Sequence, residues 1–266
     1  MTATPTADQR CNISARTCPT PAAADEIYAA SIHDAVAEEE PDSAARRGRS
    51  VFTSIVELCA EDAPPAPALP DGAAAAPSPP SFLGSDVHVV WGLSKDWAAS
   101  GLRVGFLYTH NEQLLAALSN VNYFTSVSNH TQDALAGVLE DAPWADAYLR
   151  GCVGALRDAA GVVRAGVEGA RGVRLALAPQ AGMFAWLDLR ALLLPPPPGG
   201  DGWAAEEALT EDLLAHARVL FTPGGACHAP QPGYYRCCFA WMGTDAVAVA
   251  FARLREFAER RLRGEV

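Results

Sequence analysis

The pattern of apolar and polar positions predicts alternating strands and helices from about residue 87 onward. Residues 87–91, VHVVW, hold four apolar residues in a run of five and are rich in β-branched side chains, which indicates a buried strand. A short loop follows, and a second apolar strand is expected over residues 102–108. Apolar residues at helical spacing predict helices over residues 111–118, 131–141 and 144–168.

The same alternation continues to the C-terminus. Strands are expected within residues 172–193 and over residues 219–223 and 234–240, and helices over residues 206–217 and about 244–262. Alternation of this kind predicts an α/β domain, which we place over residues 141–266.

Two stretches near the N-terminus lack this periodicity. Residues 1–24 are rich in Thr, Ala and Pro and contain no periodic apolar segment, so we expect them to be poorly ordered. Residues 36–86 combine acidic and basic clusters with a Pro/Ala tract, which is typical of a flexible, solvated insertion. One short amphipathic helix is expected inside it, around residues 51–58.

Composition and charge narrow the classes of function. The formal net charge is −11 and the pI is near 4.9, which argues against nucleic acid or an anionic membrane as the main partner. The seven cysteines show no zinc-binding spacing, and no histidine pair has metal-ligand spacing, so no metal site is predicted. Reduced thiols and the lack of an obvious signal pattern favour a cytoplasmic protein, with organelle targeting left open.

The end of the first predicted strand carries the main candidate chemistry. Lys95 follows Ser94 there, and such a lysine is often only a solvated loop charge. A strand that delivers the amine into the interior would instead favour the neutral nucleophile, which can form a Schiff base with a carbonyl. Arg103, across the short loop, would offer a planar set of donors suited to a phosphate.

These residues carry a resemblance to a known family. GLSKD at residues 92–96 and GLRVG at residues 101–105 resemble the lysine segment of the class I/II aminotransferases, pyridoxal-phosphate enzymes of fold type I. The most similar branch contains 1-aminocyclopropane-1-carboxylate synthase. The chain departs from the family pattern at Gly92, where a serine is usual, and at Ala98 and Ser100, where Gly and Pro are usual.

The resemblance assigns roles to residues outside this segment. DEIY at residues 25–28 is similar to a family motif in which Asp25 would pair with the pyridine nitrogen and Tyr28 with the 3′ oxygen of pyridoxal phosphate. Taken alone, these four residues fit an exposed turn better, and their position upstream of the lysine strand reverses that preference. Lys95 would be the catalytic Schiff-base residue, and Ser94, Lys95 and Arg103 would contact the cofactor.

A third matching segment lies near the C-terminus. PGYYRCCFA at residues 232–240 resembles the family segment whose arginine binds the α-carboxylate of an amino-acid substrate, and Arg236 occupies that position. Without the resemblance, Arg236 could equally be an exposed edge residue or half of a buried ion pair.

The resemblance implies an incomplete fold-type-I enzyme of the α/β class. Residues 25–140 would form part of the large, cofactor-binding domain, interrupted by the insertion, and residues 141–266 the small domain. In the family, the first half of the large domain precedes the DEIY motif, whereas 24 residues precede it here, so we expect the C-terminal part of the fold.

Two functional hypotheses follow. The first is a pyridoxal-phosphate enzyme that acts on an amino acid as a homodimer, by transamination or by synthase-like α,γ-elimination. The second is a catalytically inactive aminotransferase fragment that acts as a structural or interaction module.

Overall fold

The computed structural model of the chain describes residues 22–33, 52, 54–56, 84–196 and 198–266. Most of the N-terminal segment expected to be poorly ordered, and most of the insertion expected at residues 36–86, lie outside the described residues. The chain divides into two compact units. Unit 1 comprises Met1–Ala29 and Ser50–Asp146, and unit 2 comprises Ala30–Arg49 and Ala147–Val266.

The sheet of unit 1 has three strands in the order β1-β2-β3. These are β1 (Ala22–Asp25), β2 (Val87–Gly92) and β3 (Gly105–Thr109), with β1 parallel and β3 antiparallel to β2. The buried strand expected at residues 87–91 is β2, but only one of its faces is buried. Val87 and Val89 are buried, but Val90 is 42% exposed, because successive residues of a strand point to opposite faces of the sheet.

Helices α1 (Glu112–Thr125) and α2 (Asn129–Leu139) follow the sheet of unit 1, and neither helix contains a buried residue. Both begin at side chains that cap the free backbone N–H groups of the first turn. Asn111 accepts a hydrogen bond from the Leu114 N–H, and Ser128 accepts one from the Thr131 N–H. The Ser128 cap explains why α2 starts two residues before the expected position. Helix α1 extends seven residues past its expected end.

Unit 2 contains a four-stranded antiparallel sheet in the order β4-β5-β7-β6. The strands are β4 (Arg174–Leu177), β5 (Phe184–Asp188), β6 (Thr222–Pro223) and β7 (Tyr234–Cys238). The strand expected over residues 219–223 pairs only at its last two residues.

Three helices contribute to the core of unit 2. They are α3 (Ala142–Val167), inside which the division between the units falls, α4 (Gly202–Asp212), extended by a π-helical turn at Leu213–Ala217, and α5 (Thr244–Leu262). Their apolar faces pack with one face of the sheet in a single large cluster. Helix α4 starts four residues before the predicted position because Asp201 accepts hydrogen bonds from the N–H groups of Trp203 and Ala204. No helix within the described ranges has both the length and the apolar character needed to cross a bilayer.

Candidate functional site

One edge of the sheet in unit 1 gathers the candidate cofactor-binding residues. Because β1 and β2 are parallel, their carboxyl ends meet at this edge: Asp25 ends β1, and Ser94 and Lys95 follow β2. Tyr28 lies in the turn just after β1. Arg103 precedes β3, which is antiparallel to β2 and therefore starts at the same edge. We call the edge defined by these five residues the lysine edge.

Backbone hydrogen bonds close the turn that carries Lys95. The Leu93 N–H donates to the Val104 carbonyl at 3.2 Å, which extends the pairing of β2 and β3 by one step. The Ala99 N–H donates to the Leu93 carbonyl at 3.0 Å, and the Ala98 N–H to the Lys95 carbonyl at 2.9 Å. Leu93 is fully buried, whereas the Lys95 side chain is half-buried. The main chain of Lys95 is therefore anchored on both sides.

Arg103 lies in a turn and not, as expected, inside a strand over residues 102–108. Strand β3 begins only at Gly105. Arg103 has a left-handed backbone with φ of 53°, and its Nη1 donates a hydrogen bond to the Ser100 carbonyl at 3.0 Å. This geometry leaves its side chain exposed at the lysine edge.

The departure from the family pattern at Gly92 has a packing explanation. A Cβ at this position would lie 3.0 Å from the carbonyl oxygen of Val104 and 3.3 Å from Cδ1 of Ile27. Both distances are tighter than ordinary van der Waals contact, so a serine here would require its neighbours to shift. Glycine allows the end of β2 to approach both the DEIY segment and the start of β3.

The DEIY segment contributes a structural residue that the sequence reasoning missed. The Glu26 carboxylate accepts hydrogen bonds from Ser54 Oγ at 2.8 Å and from the Ile55 N–H at 2.9 Å. Glu26 thereby ties the segment at residues 54–56 to the end of β1. Asp25 beside it is exposed, and its Oδ1 accepts from the Ile27 N–H at 3.2 Å.

Arg236 lies in unit 2, on the exposed face of β7. Its guanidinium carbon lies 4.7 Å from the ring centroid of Phe184, and its Nη2 lies 3.5 Å from Oγ1 of Thr222. Within the described part of the chain, Arg236 forms no ion pair. The aromatic ring supports one side of the guanidinium while its hydrogen-bonding edge remains accessible.

The loops that flank β6 and β7 are held by Glu206, which the sequence reasoning also missed. This carboxylate is only 3% exposed and accepts hydrogen bonds from the N–H groups of Gly225 at 2.9 Å and Gly233 at 2.6 Å. Its backbone carbonyl accepts a further bond from the Tyr235 hydroxyl. The burial of Glu206 could have been predicted from helical spacing, because Glu206 lies three residues before Leu209 and shares the buried face of α4 with it.

Lysine content gives a second signal that the sequence reasoning overlooked. Lys95 is the single lysine of the chain, and every other residue in the total of 20 Lys and Arg is an arginine. An amine is therefore present at the lysine edge and, among side chains, nowhere else. Within the described residues, no group of three or more His, Cys, Asp or Glu side chains is placed to hold a metal ion.

Solved structures define the class of fold. An aromatic aminotransferase from Pyrococcus horikoshii is similar with a TM-score of 0.64 and 20% identity, over 92% of this chain and 52% of that chain. An aspartate aminotransferase from Rhizobium meliloti is similar with a TM-score of 0.64 and 18% identity, over 90% of this chain and 49% of that one. The α/β fold is therefore part of the fold-type-I pyridoxal-phosphate enzyme fold.

The chain belongs to the family of class I and II aminotransferases, because the sequence model of that family matches residues 57–254. Curated relatives include 1-aminocyclopropane-1-carboxylate synthase 3 of Oryza sativa subsp. japonica, 40% identical over 65% of this chain and 38% of that protein. Another is 1-aminocyclopropane-1-carboxylate synthase 11 of Arabidopsis thaliana, 33% identical over 69% of this chain and 38% of that protein. The match spans little more than a third of either relative.

Proposed function

We propose that this chain binds pyridoxal phosphate at the lysine edge and acts on an amino acid. The observation that carries the proposal is that its single lysine lies at the same sheet edge as Asp25 and Arg103. Membership of the family supports the proposal. Because the match spans only part of each relative, the activity itself is the part to be tested.

The groups at the lysine edge fit the chemistry of this cofactor. The exposed Asp25 carboxylate would hold a proton on the ring nitrogen, and the Tyr28 hydroxyl would hydrogen-bond the 3′ oxygen. The Ser94 hydroxyl and the Arg103 guanidinium would hold the phosphate, since both donate hydrogen bonds to anionic oxygens. When bound, pyridoxal phosphate supplies an electron-withdrawing ring that accepts the electron pair left when the α-proton of an amino acid is removed.

Lys95 has two tasks in this proposal. Its Nζ would hold the cofactor at the lysine edge by condensing with its aldehyde, and the carbonyl oxygen would leave as water. Once a substrate amine has replaced it, the same Nζ would take the α-proton and return it. The anchored turn at Lys95 supports this second task, because proton transfer requires the amine to stay within hydrogen-bond reach of the α-carbon.

Arg236 would bind the α-carboxylate of the substrate. Its accessible guanidinium edge suits a bidentate contact with a carboxylate, and the Phe184 ring limits the orientations of the group. Transamination and α,γ-elimination both begin with removal of the α-proton, and the names of the curated relatives favour the synthase-type reaction. A homodimer is part of the proposal.

Reduction with borohydride tests cofactor binding directly. The full chain incubated with pyridoxal phosphate should turn yellow, and reduction should fix a phosphopyridoxyl group on the peptide that contains Lys95. Because the chain has a single lysine, the amino terminus is the only competing amine. Lys95→Arg keeps the positive charge and should abolish the label. A colourless protein, or a label confined to the amino terminus, would contradict cofactor binding.

Exchange of the α-proton tests the step that transamination and α,γ-elimination share, whichever reaction follows it. The loaded chain, incubated with a panel of amino acids in deuterium oxide, should exchange the α-proton of at least one of them, as followed by NMR. Arg236→Gln should reduce this exchange by about tenfold or more, while the borohydride label on Lys95 remains. A loaded protein that exchanges no α-proton would contradict the enzymatic function alone.

A second candidate function, a non-catalytic interaction module, is favoured by the exposed apolar residues of α1. Tyr123 is 83% and Phe124 87% exposed, although aromatic side chains are usually at least partly buried. A chain that is folded by circular dichroism and yet ignores added pyridoxal phosphate would support this second candidate.

A further inference from the structure

A surface groove of about 740 Å³ lies within unit 2, lined by the residues leading into β6, by β7 and by the first half of α5. We call it the α5 groove and define it by Arg218, Leu220, Trp241, Met242, Val249 and Arg253. These six residues have no role in the proposed function, although Arg236, which would bind the substrate carboxylate, also lines the groove.

Large apolar side chains are concentrated at the α5 groove. Trp241 is 86% exposed, Leu220 73% and Met242 60%. Single exposed apolar residues are normal on protein surfaces, but several around one groove indicate a binding surface. Tryptophan and methionine are also enriched in protein interfaces. A surface that leaves its tryptophan this exposed does not enclose a small ligand, which is usually mostly buried in its pocket.

The charge of the α5 groove is opposite to that of the whole chain. Arginines at positions 218, 236 and 253 line it, against the single acidic residue Asp245, whereas the chain carries a formal net charge of −11. Among the residues that the structure describes, neither the Arg218 nor the Arg253 side chain has a hydrogen-bond or ion-pair partner. The complementary ligand is therefore apolar in its centre and acidic at its margins.

The wall formed by α5 has the spacing and space to receive a helix. Ala246, Val249, Ala250 and Arg253 follow the spacing i, i+3, i+4, i+7, so they share one face of α5, and all of them line the groove. The two alanines leave room between the larger side chains. A partner helix could place large apolar residues in that room, as in other complexes in which an amphipathic helix lies in a groove.

We propose that the α5 groove binds an acidic amphipathic helix of another polypeptide. Its apolar residues occupy the space beside Trp241 and Val249, and its carboxylates pair with Arg218 and Arg253. The exposed tryptophan is the main apolar contact, because large aromatic side chains contribute most to the binding energy of such interfaces.

A designed peptide serves as the probe. It is a fluorescein-labelled helix about five turns long, with leucines at i, i+3, i+4 and i+7 and glutamates on both flanks. Titration with the full chain, followed by fluorescence anisotropy, should give saturable binding with a Kd of about 10 μM that weakens as salt is added. The same peptide with lysine in place of every glutamate should bind about tenfold more weakly or worse.

Exposed residues allow matched variants that leave the core intact. Trp241→Ala should weaken binding of the acidic peptide by about tenfold. Arg253→Glu should weaken it by a similar factor and should tighten binding of the lysine peptide. Arg171→Glu, at an exposed position outside the groove, changes the net charge by the same amount and should leave both affinities nearly unchanged.

Four results would overturn the proposal. They are the absence of saturable binding at about 1 mM chain, equal affinity for the acidic and lysine peptides, and equal effects of Arg253→Glu and Arg171→Glu. The fourth is self-association of the chain that Trp241→Ala abolishes and the peptide does not displace, which would assign the groove to a second copy of this chain.

Discussion

Ala98 has a left-handed backbone, with φ of 51°, in the turn after Lys95. This conformation costs an alanine about 1–2 kcal/mol, whereas a glycine adopts it freely. Ala98→Gly should therefore raise the free energy of unfolding by about 0.5–1 kcal/mol, after allowing for the larger entropy of glycine in the unfolded chain. Urea unfolding followed by tryptophan fluorescence measures the change.

The adjacent alanine provides the control for that substitution. Ala99 has φ of −102°, which suits an alanine, so Ala99→Gly should lower the free energy of unfolding by about 0.5–1 kcal/mol. If both substitutions shift stability in the same direction, the left-handed strain at Ala98 is not the cause.

Glu206 is a residue whose loss should be costly. Glu206→Ala removes the acceptor for two backbone N–H groups, at Gly225 and Gly233, and should lower the free energy of unfolding by about 2–5 kcal/mol. Glu206→Gln keeps one acceptor oxygen and should cost less. The exposed neighbour supplies the comparison: Glu207→Ala should change stability by less than about 0.5 kcal/mol in the same urea experiment. Equal losses at both positions would contradict this role.

At the scale of single elements, helix α3 approaches α5 closely at one glycine. A Cβ at Gly166 would lie 2.6 Å from Cβ of Phe251, a distance that real Cβ atoms do not reach. Gly166→Ala should therefore lower the free energy of unfolding by about 1–2 kcal/mol, because overpacking exceeds the gain in helix propensity. Gly161 in the same helix has open space, so Gly161→Ala should raise stability by about 0.5–1 kcal/mol. Thermal unfolding measures both changes. If the two melting temperatures shift in the same direction, the close approach at Gly166 is not the cause.

Strand β7 gives unit 2 a dependence on alkaline pH. Burial raises the pKa of Tyr235 from 10.0 to about 12, and burial, followed by the nearby Cys238, raises the pKa of Cys237 from 9.0 to about 12. A group whose pKa is raised by folding stabilises the folded state fully at pH values below its unfolded pKa. This stabilisation is lost as the pH rises from the unfolded pKa toward the pKa of the folded state. For each group the free energy of unfolding should fall by about 1.4 kcal/mol per pH unit in that range.

Strand β7 also contains one buried cysteine, Cys237, and one exposed cysteine, Cys238, so the contribution of the buried thiol can be measured separately. Urea midpoints measured between about pH 8 and pH 11 should fall less steeply for Cys237→Ala than for the unmodified chain, because the buried thiol no longer titrates. Cys238→Ala removes an exposed thiol and should keep nearly the original slope. Identical slopes for the two variants would contradict the assignment to Cys237.

The elements that the sequence predicts well are those with long periodic patterns. Helix α5 begins at Thr244, as expected, and ends at Leu262. The starts of α2 and α4 differ because their N-caps, Ser128 and Asp201, lie before the apolar pattern begins. Burial of the strand at residues 87–91 could not be predicted, since an apolar run does not reveal whether one face or both faces will be covered.

At the scale of the whole molecule, the residues of the lysine edge could be proposed from sequence because they lie in short local motifs. Their convergence depends on the parallel pairing of β1 and β2, which are separated by more than sixty residues. The Glu26–Ser54 bond and the Glu206 bonds could not be read from a local pattern, because their partners are between 19 and 29 residues away in the chain. Supporting residues of this kind require the fold, whereas cofactor motifs do not.

Buried apolar residues are distributed unevenly between the two units, and this predicts a difference in local stability. The large core cluster lies in unit 2, whereas α1 and α2 of unit 1 bury no residue. Opening a helix that buries nothing costs little beyond its own hydrogen bonds. Hydrogen exchange followed by mass spectrometry on the full chain should therefore show amides of α1 and α2 exchanging at least about a hundredfold faster than those of α5.

Helix α5 is the internal control for that comparison, because it forms the same i to i−4 hydrogen bonds and buries Phe251, Leu254 and Phe257. A difference in exchange then reports burial and not secondary structure. Equal protection of α1, α2 and α5 would contradict the prediction, because it would require a cover over Tyr123 and Phe124 that the described residues of this chain do not supply. A partner whose addition slows exchange in α1 and α2, and not in α5, would be the molecule that covers Tyr123 and Phe124.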